Sequence, residues 1–322
     1  MVKLANTETA AQKKATRAAY GATLAELAAE GVPVVAVDAD LTGSTTTKKL
    51  ADAGYAGRLF NCGIAEQNMI DVAAGLSLAG NIAFTGSFAV FGTGRAYDQI
   101  RNTVCYSNLD VKICPTHAGV SVGPDGGSHQ MLEDVSLMRG LPNMRVLVPA
   151  DYAAARAAIK LAAKTPGPVY VRMGRAAVPC VYDDDVELEI GRAYVLREGS
   201  DATVVACGVE IREALAAADM LAEEGVSIEV IDAFSVKPLD EDTITASVAK
   251  TGCCVVAEEH SVHGGLGSAV AECLARKNPA PCEFVGVQDR FGKSGEFEEL
   301  LGYFNLDAAA IVEAVKRARG RK

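Results

Sequence analysis

Short apolar runs alternate with longer stretches whose apolar positions recur at helical spacing, and this alternation predicts strands interleaved with helices. Val34 to Val37, entered through Pro33, is too short for a helix and apolar throughout, the mark of a parallel strand buried on both faces. Before it, an Ala- and Leu-rich stretch from Thr7 to Glu30 predicts a helix ended by Gly31. The pair of elements then repeats. A helix beginning near Glu66 precedes a strand at Asn81 to Thr85, and a helix from Gly94 to about Tyr106 precedes one at Asp110 to Cys114. A helix at Met131 to Arg139, a strand at Met144 to Val148, a helix capped by Asp151 and a strand at Val169 to Arg172 follow. Such alternation implies an α/β fold, a doubly wound and mostly parallel sheet with helices on both faces.

The pattern loosens around Pro179, Asp183-Asp184-Asp185 and Gly191, which read as a connector. We place a first domain at residues 1–180, a linker at 181–192 and a smaller α/β domain at 193–322. In the latter, strands are expected at Thr203 to Ala206, Ser227 to Ile231 and Cys254 to Ala257, with helices at Ile211 to Glu224, Asp240 to Ala249 and Leu306 to Arg317. Two domains suit a chain of 322 residues.

Composition narrows the function classes. A net charge of −10 argues against a nucleic-acid binder, and the basic end at Arg317, Arg319, Arg321 and Lys322 reads as a solvated tail. Nine cysteines without a CxxC pair, mostly in apolar runs, suit reduced thiols and hence a cytoplasmic setting. No apolar run is long enough to span a bilayer, and the N-terminus has no signal-like apolar segment, so no membrane association is expected.

Against this background Glu66 is anomalous. It stands in Gly63-Ile64-Ala65-Glu66-Gln67-Asn68, at the head of an apolar helix containing Ile70, Val72, Ala73, Ala74, Leu76 and Leu78. One reading is an acid interacting with the positive end of the helix dipole. Another is an acid facing an aromatic shelf, because Phe88 and Phe91 follow in Thr85-Gly86-Ser87-Phe88-Ala89-Val90-Phe91. Stacking rings beside a carboxylate suit a heteroaromatic ligand with a ring nitrogen at its edge; the same two Phe at helical spacing also suit a plain core. Two of the four histidines, His117 and His129, share one loop region with Asp125 in Gly123-Pro124-Asp125-Gly126-Gly127-Ser128-His129-Gln130. A single loop His is more often incidental than catalytic, but two with an Asp on a glycine-rich crevice loop point toward function, His being the natural proton shuttle near neutral pH. The polar stretch Asp38 to Ser44, just past the first strand, lies where ligands bind in open α/β sheets, although a simple turn has the same composition. His260 and His263 lead through Gly264-Gly265 toward a helix N-terminus that could receive an anion, without a zinc-ligand spacing.

Glu66 with its neighbours, the Phe88/Phe91 shelf and the Gly-Pro-Asp-Gly-Gly-Ser-His-Gln loop together resemble the pyrimidine-binding half of transketolases, and the resemblance spans nearly the whole chain. It is nearest to the C-terminal subunit of a split, two-subunit transketolase, carrying the pyrimidine-binding and C-terminal domains. The resemblance implies transfer of a two-carbon ketol unit from a ketose phosphate to an aldose phosphate with thiamin diphosphate as cofactor. It assigns Glu66 to the N1′ nitrogen of the aminopyrimidine, Phe88 and Phe91 to its ring, and Asp40 to a place beside the cofactor. His129 and Asp125 would meet the donor's carbonyl and hydroxyls and His117 the acceptor end, while Arg17, Ser44 and Arg175 would hold the substrate phosphate; Arg172 shares the Arg175 segment. Where single-chain members add a third aromatic, this chain has Gly94 and Arg95, and Arg95-Ala96-Tyr97-Asp98-Gln99 resembles deoxyxylulose-phosphate synthase. That synthase, the β subunit of a 2-oxo acid dehydrogenase and a non-catalytic regulatory subunit are the alternatives. The family's Gly-Asp-Gly and Asn motif, which binds Mg²⁺ or Ca²⁺ and the diphosphate, has no match here. No metal site is therefore expected in this chain. The resemblance implies an N-terminal partner subunit holding the metal, an α2β2-type assembly and an active site at the interface.

Overall fold

The computed structural model describes residues 3–322 and forms two parallel-rich sheets that share their apolar layers. The first has seven strands in the order Ser235–Lys237, Arg145–Leu147, Val169–Val171, Val111–Ile113, Ile82–Gly86, Val34–Asp38, Leu59–Asn61, all parallel except the first. The second has five, in the order Cys282–Val287, Cys254–Ser261, Ala202–Ala206, Ile228–Asp232, Tyr194–Arg197, with only the last antiparallel. Side chains alternate strictly across the first sheet. Val34 and Ala36 enter one apolar layer with Tyr20, Leu24 and Phe84, while Val35 and Val37 enter the other with Met69, Ile70 and Val111. The same two layers continue through Val204 and Val205 of the second sheet.

Three sequence expectations change. The stretch from Thr7 to Glu30 is not one helix: Thr7–Ala10 is followed by a strand, Lys13–Ala15, and only then by the helix Thr16–Ala29. The break comes from antiparallel pairing of Lys13–Ala15 with Ala177–Pro179, a tertiary partner that overrides the helix preference of the Ala-rich run. Helical structure expected from Gly94 starts at Val90 and contains wider π-type turns at Val90–Arg95 and Ile100–Cys105, on either side of Tyr97–Gln99. Such turns recur near functional sites. The helix Leu266–Lys277 offers no anion site, because the Glu258 carboxylate already accepts the N–H groups of Leu266 and Gly267, both at 2.8 Å. All nine cysteines are free. No helix among the described residues is long and apolar enough to cross a membrane.

Candidate active site

Loops leaving the carboxyl ends of Val34–Asp38, Ile82–Gly86, Val111–Ile113 and Val169–Val171 converge on one edge of the seven-stranded sheet, the usual ligand position in such folds. They are stitched together beyond the strands. Thr116 donates its N–H to the Ser87 carbonyl at 2.9 Å, Ala89 to Thr116 at 2.8 Å, and Ala118 to Met173 at 3.2 Å. This backbone ladder places Phe88 directly against His117, with ring centres 3.8 Å apart and 29° between planes.

From there a continuous series of contacts runs to Glu66. Phe88 and Phe91 stack with centres 6.3 Å apart and 20° between planes, and His129 meets Phe91 edge-on at 5.4 Å. The Arg95 guanidinium lies 4.6 Å from the centre of the Phe91 ring and donates from Nη1 to Glu66 Oε2 at 2.8 Å. Glu66, first residue of the helix Glu66–Leu78, is only 2 % exposed. Arg95, noted in sequence as a departure, thus ties the acid to the aromatic shelf.

The other end of the series is cationic. Arg17 donates from Nη1 to the Ser44 carbonyl at 2.8 Å, and Arg175 from Nη1 to the Val122 carbonyl at 3.0 Å. Burial and the neighbouring Arg175 charge hold the Arg17 pKa below its usual value. Burial, then the charges of Arg17 and Arg175 and of His129, push the His117 pKa down to about 3, so this imidazole is neutral in ordinary buffers. His117 sits at φ 61, with Nδ1 2.7 Å from Thr116 Oγ1; the His129 Nδ1 lies 2.9 Å from Ser128 Oγ.

Not every candidate joins the ring series. Asp40 is exposed at φ 66 and exchanges hydrogen bonds with Asn61, while Asp125 is exposed at the end of the Val120–Asp125 turn. Arg172 is turned inward and pairs with Asp134 through Nε at 2.7 Å, which leaves Arg175 as the arginine of that segment beside Arg17. The sequence pointed to Asp38 only as the start of the polar Asp38 to Ser44 stretch and gave it no role; its buried carboxylate accepts from Thr45 and Thr47 hydroxyls at 2.7 and 2.9 Å and from the Leu41 N–H at 2.6 Å. Its signal was a carboxylate at the end of an apolar strand followed by Thr-Thr-Thr. Burial raises its pKa despite these bonds. Among the described residues no group of three or more His, Cys, Asp or Glu is placed to hold a metal ion. The residues present do fit thiamin diphosphate's pyrimidine end: a buried carboxylate beside a ring shelf.

Residues 12–181 match the family of transketolase pyrimidine-binding domains and residues 191–311 that of transketolase C-terminal domains. A protein of Methanocaldococcus jannaschii named as a transketolase C-terminal section is 45 % identical over 94 % of this chain and 95 % of its own length. A 6-deoxy-6-sulfo-D-fructose transketolase subunit of a Clostridium species is 42 % identical over 95 % of each. A solved split-gene transketolase, described as an inactive beta4 tetramer, aligns with a TM-score of 0.88 at 49 % identity, over 97 % of this chain and all of that one. With both domain families matched in order and relatives of like length, the chain belongs to the thiamin-diphosphate-dependent transketolase family, as a C-terminal section of the split type.

Proposed function

We propose that this chain is the C-terminal subunit of a two-subunit transketolase that moves a two-carbon ketol unit between phosphorylated sugars and is active only with an N-terminal partner. When bound, thiamin diphosphate supplies the electron sink for breaking the ketose carbon–carbon bond. The chain's own residues bind and position. Glu66 would hold the pyrimidine N1′ by a carboxyl hydrogen bond, and Phe88 and Phe91 would offer the ring its stacking face. His129 and Asp125 orient the donor carbonyl and hydroxyls, and neutral His117 hydrogen-bonds a hydroxyl at the acceptor end. Arg17 and Arg175, with Ser44, hold the sugar's terminal anion, for which the guanidinium fork is suited. Asp40 would stand beside the cofactor.

The observation that carries this reading is the unbroken series from the buried Glu66 through Arg95, Phe91 and Phe88 to His117. Partner dependence is supported by apolar groups left exposed close to Glu66: Ile64, two residues before it, is 78 % exposed, and Phe60, in the edge strand Leu59–Asn61 that leads to it, is 37 % exposed. The partner subunit would hold Mg²⁺ or Ca²⁺ with the diphosphate and complete an α2β2-type assembly, in a cytoplasmic setting that suits nine free thiols. The sulfofructose relative makes a sulfonate a second candidate for the anion held by the arginines.

The test is co-expression with a candidate N-terminal subunit and a thiamin-dependent transfer assay over phosphorylated and sulfonated ketoses. Glu66→Gln should abolish turnover while the circular dichroism spectrum stays unchanged; near-normal rates would reject the assignment. Condensation of pyruvate with an aldehyde, or acyl delivery to a lipoyl carrier, would instead point to the synthase or dehydrogenase alternative.

A further inference from the structure

The loop that runs from His117 to Gln130 is held from outside its own domain. Glu259, at the carboxyl end of the Cys254–Ser261 strand of the second sheet, is 3 % exposed, and its Oε1 accepts the N–H of Ser121 in the first turn of Val120–Asp125. Its backbone carbonyl accepts from Arg172 Nη2 at 2.9 Å, and its Oε2 lies 3.7 Å from Arg172 Nη1. Arg172 is itself clamped to Asp134, so the carboxylate has a fixed cation behind it and a loop N–H in front. Gly119, at φ 79, permits this approach: a β-carbon there would fall on the Glu259 carboxyl group. The far end of the loop is held similarly, since Gln130 Nε2 donates to the Lys293 carbonyl at 2.9 Å and Gly127 lies against the Gly292 carbonyl.

We propose that Glu259 is a positioning residue, by which the C-terminal domain sets the conformation of the 119–130 loop and so the placement of Asp125 and His129 toward substrate. This rests on the transketolase reading for what the loop does, but not for what holds it. Val120–Asp125 is a short 3-10 turn interrupted at Gly123, with Pro124 inside it, so the turn has little intrinsic stability of its own. A buried acceptor at its second residue supplies what local sequence does not. Removing it leaves an unpaired buried N–H and frees the segment between the two histidines.

Two measurements separate this from the functional reading. Hydrogen exchange of the purified chain, read by mass spectrometry, should show protection in residues 119–130 falling about tenfold or more in Glu259→Ala, with the strands of the seven-stranded sheet unchanged. Glu259→Gln, whose amide oxygen still accepts the Ser121 N–H, should recover most of that protection. In the reconstituted enzyme, Glu259→Ala should raise the KM for the donor sugar about tenfold while the Kd for thiamin diphosphate stays constant, since the loop acts on substrate rather than on the cofactor. Gly119→Ala displaces the same carboxylate and serves if the Glu259 variant does not fold. Unchanged loop exchange in these variants overturns the proposal, as does exchange that rises equally across the whole chain, or a KM rise matched by an equal loss of cofactor affinity. Loop exchange that changes as expected, in a chain that shows no transferase activity when reconstituted with its N-terminal partner, would overturn the transketolase reading alone.

Discussion

Arg95 reaches the Glu66 carboxylate at 2.8 Å, joining a half-exposed guanidinium to an acid that is 2 % exposed. The asymmetry decides what the pair is worth. Water partly replaces the carboxylate's absence for Arg95, but little reaches Glu66 when the cation is lost. Arg95→Ala should therefore lower stability by about 1–3 kcal/mol in denaturant titrations, the cost of an unpaired buried polar group. Because that cost lies in the abandoned carboxylate, adding Glu66→Gln to Arg95→Ala should recover part of it. Strictly additive losses would show that the two side chains are not coupled.

His117 links acidity to stability. In the folded chain burial and then the neighbouring cations hold its pKa at about 3, against an ordinary value of 6.5. Between those values the unfolded chain binds more protons, so stability falls as pH drops through this window and is fully present above it. The single-site contribution at about pH 5 is up to about 2 kcal/mol. His117→Gln should flatten the fall in stability between about pH 7.5 and pH 5, measured by chemical denaturation at both; an unchanged slope would place the sensitivity elsewhere.

Asp232 acts in the opposite direction. It is fully buried, accepts the Tyr182 hydroxyl on Oδ2 at 2.5 Å and leaves Oδ1 without a partner. Burial raises its pKa to about 7, overcoming the Tyr182 bond, with the Asp151 charge adding to the rise. The folded chain thus holds the extra proton between the ordinary value of 3.8 and about 7, so this group's stabilising share is full below that window and is lost as pH rises through it. Asp232→Asn, which keeps the acceptor oxygen and removes the charge, should raise the Tm above about pH 7 and change it little near pH 4. A uniform loss at both would mean that the carboxyl shape matters more than its charge.

How legible these features were follows from their range along the chain. The strand Val34–Asp38 could be read because burial on both faces writes an unbroken apolar run. Glu66 could be read because a charge at the head of an apolar helix is locally inconsistent, and the Phe pair because both rings lie within one turn. What could not be read is decided by distant partners. Arg172 and Arg175 stand three apart in one loop, and only the position of Asp134 determines that the first turns inward. Ser235–Lys237 is a three-residue strand of no distinctive pattern that crosses from the second half of the chain to the edge of the first sheet. Glu259 meets Ser121 across 138 positions; the Glu258-Glu259 pair ending an apolar strand hinted at buried partners without naming them.

Gly21 tests how the end of the site proposed to hold the substrate anion is kept in place. The helix Thr16–Ala29 crosses the Thr42–Thr47 segment so closely that a β-carbon at Gly21 would overlap the Thr46 carbonyl, and the Gly21 N–H donates to Thr46 Oγ1 at 3.0 Å. Thr46 Oγ1 in turn donates to the Arg17 carbonyl at 2.8 Å, and Arg17 donates to the Ser44 carbonyl at 2.8 Å. Since the obstacle is backbone rather than a flexible side chain, Gly21→Ala must push the segment away, costing about 1–3 kcal/mol of stability as overpacking does. The same displacement separates Ser44 from Arg17. In the reconstituted enzyme the KM for phosphorylated sugars should rise while turnover of an unphosphorylated ketose changes much less. Equal effects on both substrates would show that this close approach serves packing alone.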